Sequence, residues 1–318
     1  MDTVLAFIYA AILAGVPLLY GTLGEIITEK AGHLNLGVEG MMYMGAAFGF
    51  WGGYLTGSVF FAILFAFLAG MAGALIYAFL TVSLKANQNV TGLALTIFGT
   101  GVANFLGLSL QKNAAASAVV VSQNVVDALK PQYLGFLSDL PVIGNLLFLH
   151  SPFTYAVVIL AIGLSWYLNH THQGLNLRSI GENPGAADAA GVNVTLYKYV
   201  HLLLGGGICG IGGAYISLVT CSGNWQQNCV SGQGWIAVAL VIFASWKPIR
   251  AILGALVFGA LTILRLYIPT NVLNLPSAFY LMLPFFVTCV VLVVSSIRMR
   301  RESQAPAACG VNYFREER

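Results

Sequence analysis

Charge is what this 318-residue sequence has least of: Asp, Glu, Lys and Arg together make up 8% of it, against roughly 25% in an ordinary soluble domain. That shortage excludes a surface built to face water. Phosphate-binding chemistry is missing too, since no G-x-x-x-x-G-K-[ST] loop occurs. The chain therefore supplies no ATPase of its own. The five cysteines and the scattered His33, His150, His170, His172 and His201 lack metal-ligand spacing, so no metal site is expected. No Ser/His/Asp or Cys/His arrangement stands in a catalytic context. A basic stripe with aromatic readers is also missing, which excludes nucleic acid as a partner.

What is present is apolar. Hydrophobic residues are 58% of the chain and the mean hydropathy is +0.83, so lipid is the expected solvent for most of the surface. Forty-five consecutive residues, Gly40 to Leu84, carry no charged side chain. A crossing helix needs about 20 apolar residues, so this run suffices for two. Uncharged stretches between polar breaks predict nine spans, at 3–24, 36–56, 58–84, 90–110, 152–169, 198–220, 233–247, 250–267 and 276–297. The fold class is thus an all-α polytopic transmembrane bundle. Gly-rich polar stretches at 33–40 and 221–234 are tolerated at membrane depth only inside protein, so re-entrant segments there set the count between eight and ten.

Basic residues set the orientation. With the N-terminus outside, eleven Lys and Arg fall on inner loops and the tail, while Lys112, Lys130 and Arg265 stay outside. That distribution obeys the positive-inside rule, and its reverse violates it. The chain then forms one membrane domain, 1–297, with an outer loop at 111–151, an inner loop at 170–197 and an inner tail at 298–318. The outer loop is too long for a mere connector. Cys221 and Cys229 share one polar loop and would pair only in an oxidising compartment.

Local signals place a short helix in the inner loop. Asn183 suits an N-cap, Pro184 the first helical position, and Gly191 a stop after an Ala-rich turn. The formal G-x-G-x-x-G at Gly205, Gly207 and Gly210 has a bland reading. It lies inside an apolar span, with no acid about 20 residues on, so close helix packing through Gly206 and Gly210 is expected rather than dinucleotide binding.

The block Leu34-Asn35-Leu36-Gly37-Val38-Glu39-Gly40-Met41-Met42 resembles a signature of the permease subunits of bacterial ABC importers for branched-chain amino acids, ribose-type sugars and nucleosides. Arg178 to Pro184, continuing through Ala190-Gly191-Val192-Asn193-Val194, is similar to their cytoplasmic coupling segment. The resemblance continues through Gly232 to Ala239, Trp246-Lys247-Pro248 and the tail Tyr313 to Arg318, and looks closest to the nucleoside-type permeases. Departures are Asp188, where a basic residue is common, the Ala244–Lys247 stretch and the loop from Cys221 to Ser231. The resemblance implies a non-enzymatic transport subunit of a bacterial plasma membrane, with no cofactor on this chain and ATP with Mg on a partner ATPase. It also implies a second homologous permease, in a heterodimer rather than a homodimer, and an extracytoplasmic solute-binding protein. Coupling to the ATPase would fall on Gly181, Glu182, Asn183, Pro184, Ala187, Ala190 and Gly191. Branched-chain amino acids or sugars fit the same pattern as nucleosides.

For the translocation pathway the candidates are Asn35, Glu39, Thr96, Thr100, Asn104 and Trp235. Intramembrane polar groups are costly in lipid and commonly mark such pathways. Thr96, Thr100 and Asn104 recur every four residues and share one helical face. Each has a packing alternative: Glu39 as a cap on a neighbouring helix or a partner of Lys30, and the Thr/Asn stripe as interhelical hydrogen bonds. The stretches 32–46 and 231–244 each put Gly-rich polar residues before a small-residue helix, a pattern that suggests an inverted repeat. A self-sufficient ion-coupled transporter is the other class considered. It would favour several buried acids, whereas Glu39 is the only acid in or near these spans.

Overall fold

A computed structural model describes residues 3–113, 119–132, 144, 146, 148–267, 276–298 and 304–315. The described residues form twelve α-helices: α1 (Thr3–Lys30), α2 (Val38–Thr56), α3 (Val59–Ala78), α4 (Gln88–Asn113), α5 (Gln123–Leu129), α6 (Pro152–His170), α7 (His172–Glu182), α8 (Pro184–Ala189), α9 (Val194–Tyr215), α10 (Gln233–Phe243), α11 (Pro248–Tyr267) and α12 (Ser277–Arg298). Single π-turns extend α3 and α9 to Ser83 and Thr220. Parts of the outer loop and tail predicted from the sequence, including Asp139, lie outside the described residues.

Six of these helices are long and apolar enough to cross a membrane. The predicted span 233–247 takes another form, while that at 36–56 is a continuous helix of nineteen residues. Helix α10 has eleven residues, about 16 Å at 1.5 Å per residue, or half of a ~30 Å hydrocarbon core. Helix α2 begins only at Val38, beside Gly21 of α1, after an irregular stretch from Ala31 to Gly37. The first span is longer than the predicted 3–24: α1 continues past Gly24 to Lys30 and takes Glu25 and Glu29 into the interior.

Helix α9 forms the centre, packed against α1, α2 and α3. Its glycines make this possible. Gly205 meets the backbone of Gly24, Gly206 and Gly210 meet Gly70, and Gly213 lies against the Met42 carbonyl. A Cβ on Gly213 would collide with that carbonyl. Association within lipid depends on such close contact because burial from water no longer drives it. The 205–210 pattern is therefore a packing face, as its position inside an apolar span predicts. Many large apolar side chains remain exposed, among them Phe60, Ile97, Phe105, Trp166 and Leu266. In a bundle facing lipid that is the expected outer surface.

Candidate functional site

The starts of α2 and α10, each preceded by an irregular segment, meet. After Lys30 the chain turns through Gly32, whose φ of +83° suits glycine, and runs back along α1. The Asn35 amide donates to Glu25 Oε1 at 2.8 Å, more than a helical turn above the end of α1. Its side-chain Oδ1 accepts from the Gly37 amide at 2.8 Å, closing the turn from which α2 starts. From the other end of the bundle comes the segment after α9. It is pinned first against the segment between α4 and α5, where the Val121 amide donates to Gly223 O at 2.9 Å and the Trp225 amide to Val119 O at 3.1 Å. It descends past Asn104, whose Nδ2 donates to Asn228 Oδ1 at 3.2 Å. The Ser231 amide then donates to the Tyr43 hydroxyl at 3.0 Å, and α10 begins.

Glu39 stands between the two helix starts. Its Oε1 accepts from the Gly232 amide at 2.7 Å and its Oε2 from the Gly234 amide at 2.6 Å. The first amides of a helix have no partner within it, and they carry its positive end. One carboxylate thus satisfies α10 while sitting in the first turn of α2. Of its alternatives, Glu39 takes the cap on a neighbouring helix. Backbones touch here as well: a Cβ on Gly234 would run into the Glu39 backbone, and one on Gly40 into Leu95 and Thr96 of α4.

The α4 stripe divides. Thr96 Oγ1 donates to Leu36 O at 3.0 Å, which ties α4 to the break before α2. Thr100 donates back to Thr96 O within its own helix at 2.8 Å. Asn104 alone reaches the descending segment, and its Oδ1 is buried with no hydrogen-bond partner among the described residues. Gln233 Oε1, at the start of α10, is buried and unpartnered in the same way. Trp235 is half-buried in the first turn of α10. The geometry therefore gathers Asn35, Glu39, Thr96 and Trp235 around the junction and puts Asn104 on the approach to it.

Several residues of this region were not singled out from the sequence: Tyr43, Asn228, Gln233 and the acids Glu25 and Glu29. The expectation that Glu39 is the only acid near a span is corrected. Glu25 and Glu29 are 0% and 2% exposed, with Glu29 Oε2 accepting from the Trp246 indole N–H. Their i, i+4 spacing on one helical face was the available signal. As charges after an apolar run, they read instead as the span's end. Cys221 and Cys229 are free thiols.

A second surface lies at the end of the bundle where α1 terminates. Thr171 Oγ1 caps α7 by accepting from the Gly174 amide at 3.0 Å. Asn183 Oδ1 caps α8 by accepting from the Ala186 amide at 3.0 Å. Pro184 occupies the first helical position, and Gly191, with φ of +86°, ends the turn. Glu182, Asn183, Ala186, Ala189, Ala190 and Gly191 are exposed, Pro184 is half-buried and Gly181 is buried against the Lys30 carbonyl. Ala187 differs from expectation. It is buried with Ile180 and Val194, and Val192, Tyr197 and Tyr313 pack on that cluster. It faces this chain and not a partner. Asp188 is likewise engaged internally, accepting from the Tyr313 hydroxyl at 2.9 Å and pairing with Arg315 Nε at 3.2 Å.

Residues 7–292 match the family described as the branched-chain amino acid transport system permease component. The chain is 33% identical to the nucleoside ABC transporter permease protein NupC of Lactococcus lactis, over 100% of this chain and 99% of that protein. It is 31% identical to the guanosine ABC transporter permease protein NupQ of Bacillus subtilis, over 97% of this chain and 96% of the relative. Identity to the putative glucose ABC transporter permease protein TsgC13 of Haloferax volcanii is 39%, over 81% of this chain and 76% of that protein. No solved structure matches. A family match across nearly the whole chain, on a bundle with six helices long and apolar enough to cross a membrane, shows that this multi-pass membrane protein belongs to the branched-chain amino acid transport system permease family.

Proposed function

We propose that the chain is the translocation subunit of an ATP-driven importer for nucleosides. The observation that carries the substrate class is the full-length similarity to nucleoside and guanosine permeases. The glucose permease relative has higher identity over a shorter stretch, which makes a sugar the second reading. The junction supports a solute path: two helix starts, each after an irregular segment, meet inside the bundle, and Asn104 Oδ1 and Gln233 Oε1 are acceptors without partners among the described residues. Hydroxyl and amide groups of a nucleoside suit such acceptors, and broken helices recur around transporter sites.

In this reading the chain crosses the membrane nine times, with 31–56 and 221–243 as broken crossings, the N-terminus outside and the C-terminus inside. A separate ATPase, which binds ATP and Mg, docks on the exposed face of α7 and α8. The pathway is completed by a second, homologous permease, and a solute-binding protein delivers substrate to the outer loop. Two relatives from one organism are both named guanosine permeases, which supports a heterodimer. The membrane is the plasma membrane.

Uptake of radiolabelled nucleosides by cells lacking and re-expressing the chain tests the substrate class. Restoration that unlabelled nucleosides inhibit, and that glucose and leucine do not, is expected. Inhibition by glucose alone would replace the nucleoside reading with the sugar one.

A further inference from the structure

The tail after α12 returns to the bundle and touches both functional surfaces. At one end it holds the segment α7–α8: the Ala308 amide donates to Gly181 O at 2.9 Å, Tyr313 donates to Asp188, and Arg315 pairs with that carboxylate. At the other end Asn312 Nδ2 donates to Lys85 O at 2.6 Å and Ala86 O at 3.2 Å, in the turn between α3 and α4. Asn312 Oδ1 accepts from Gln88 Nε2 at 3.2 Å, and Gln88 Oε1 accepts from the Leu34 amide at 2.9 Å. Leu34 precedes Asn35 in the break before α2. Two sets of hydrogen bonds, joined by the Asn312–Tyr313 peptide link, therefore connect α8 through Tyr313 and Asn312 to Gln88 and the segment before α2.

This arrangement does more than cover a surface. Gln88 is 2% exposed, and its amide is used at both ends, toward the tail and toward the break. A buried polar group left without its partner is expensive, so the set is held together or lost together. Between Tyr313 and Asn312 there is only the intervening peptide bond, which is too short to absorb a displacement of α8 by slack. We propose that the tail, residues 304–315, is a coupling strap that carries movement of α7–α8 to the broken start of α2, with Asn312 as its positioning residue. The proposal rests on the reading of α7–α8 as the ATPase-facing surface.

Cys309 reports whether the strap is docked. Its Sγ lies 4.0 Å from Glu29 Oε2, and burial holds the thiol above its ordinary pKa. A docked Cys309 is thus a poor nucleophile, and release exposes it and restores its reactivity.

The test uses the complete transporter in proteoliposomes, with ATP hydrolysis and nucleoside uptake measured together. Asn312→Leu removes the three side-chain hydrogen bonds of that residue, and a chain ending at Ser303 removes the strap outright. Alkylation of Cys309, read by mass spectrometry of the C-terminal peptide, should be at least ten-fold faster in Asn312→Leu. In both variants the ATPase subunit should stay bound and hydrolysis should remain within two-fold of wild type, while uptake per ATP falls at least five-fold. Wild-type uptake per ATP in the shortened chain would overturn the strap. So would a fall in uptake matched by loss of the bound ATPase, which would make the tail a packing element. A wild-type chain that retains no ATPase at all would instead overturn the docking surface, and the strap with it.

Discussion

At the scale of single residues, Glu39 is held by what it holds. Two backbone amides at the start of α10, those of Gly232 and Gly234, point at its two oxygens, 2.7 and 2.6 Å away. Glu39→Gln turns one acceptor into an NH2 group facing an N–H, which leaves a buried amide unpaired at about 1–3 kcal/mol. The purified protein should melt several degrees lower than wild type in detergent. An unchanged melting temperature would remove the cap. Thr96 and Asn104 separate in the same terms. Thr96→Val loses the bond to Leu36 O and should lower the yield of folded protein along with transport, because that bond joins α4 to the break before α2. Asn104→Leu loses a contact to the segment 221–232 and a free acceptor. It should cut uptake at least five-fold with the amount of assembled protein unchanged; parallel losses of both would make Asn104 structural too.

Helices set the next scale, and there the glycines distinguish packing from tolerance. A Cβ at Gly213 of α9 meets the Met42 carbonyl, whereas one at Gly163 of α6 meets nothing within 4 Å. Gly213→Ala should abolish the monodisperse peak in size-exclusion chromatography, since overpacking costs about 1–3 kcal/mol even where neighbours yield. Gly163→Ala should leave it intact or sharpen it, because Ala exceeds Gly in helix propensity by roughly 1 kcal/mol. The segment α7–α8 gives a second contrast. Ala187→Arg drives a charge into the Ile180–Val194–Tyr313 cluster and should reduce folded protein. Ala190→Arg sits on the exposed face and should leave folding alone while lowering ATPase binding, as a pull-down would measure. Equal binding by the Ala190 variant would remove that face from docking.

These elements also show what could be read in advance. The turn from Asn183 to Gly191 was legible because its causes are local: a cap, a proline and a glycine within nine residues. The packing role of the 205–210 glycines was legible because the span around them is apolar throughout. The end of α1 was not. Glu25 and Glu29 are kept inside by the Asn35 amide and the Trp246 indole, the latter 217 residues away, and no window of sequence contains such a partner. Nor could α10 be separated from a full span, since its shortness depends on where the segment 221–232 lies in depth. Ala187 could not be told from its exposed neighbours in α8, because the cluster that takes it in joins Ile180 and Val194 from the flanking elements and Tyr313 from the tail.

Seen as a whole molecule, the bundle puts a junction of two helix starts in its interior and a capped helical loop at one end, with the tail touching both regions. In the proposed reading a separate ATPase drives the junction by way of the capped loop and the tail. The alternative is a transporter that works alone. The buried Glu25 and Glu29 give that second class a specific basis, since intramembrane acids serve ion coupling elsewhere. The decisive measurement is nucleoside uptake into proteoliposomes under two conditions. One holds this chain alone with an imposed H⁺ or Na⁺ gradient. The other holds it with its ATPase, second permease and solute-binding protein, with ATP supplied on the ATPase side. The account predicts uptake only in the second condition, lost when ATP is replaced by a non-hydrolysable analogue. Gradient-driven uptake by the chain alone, without ATP, would contradict it.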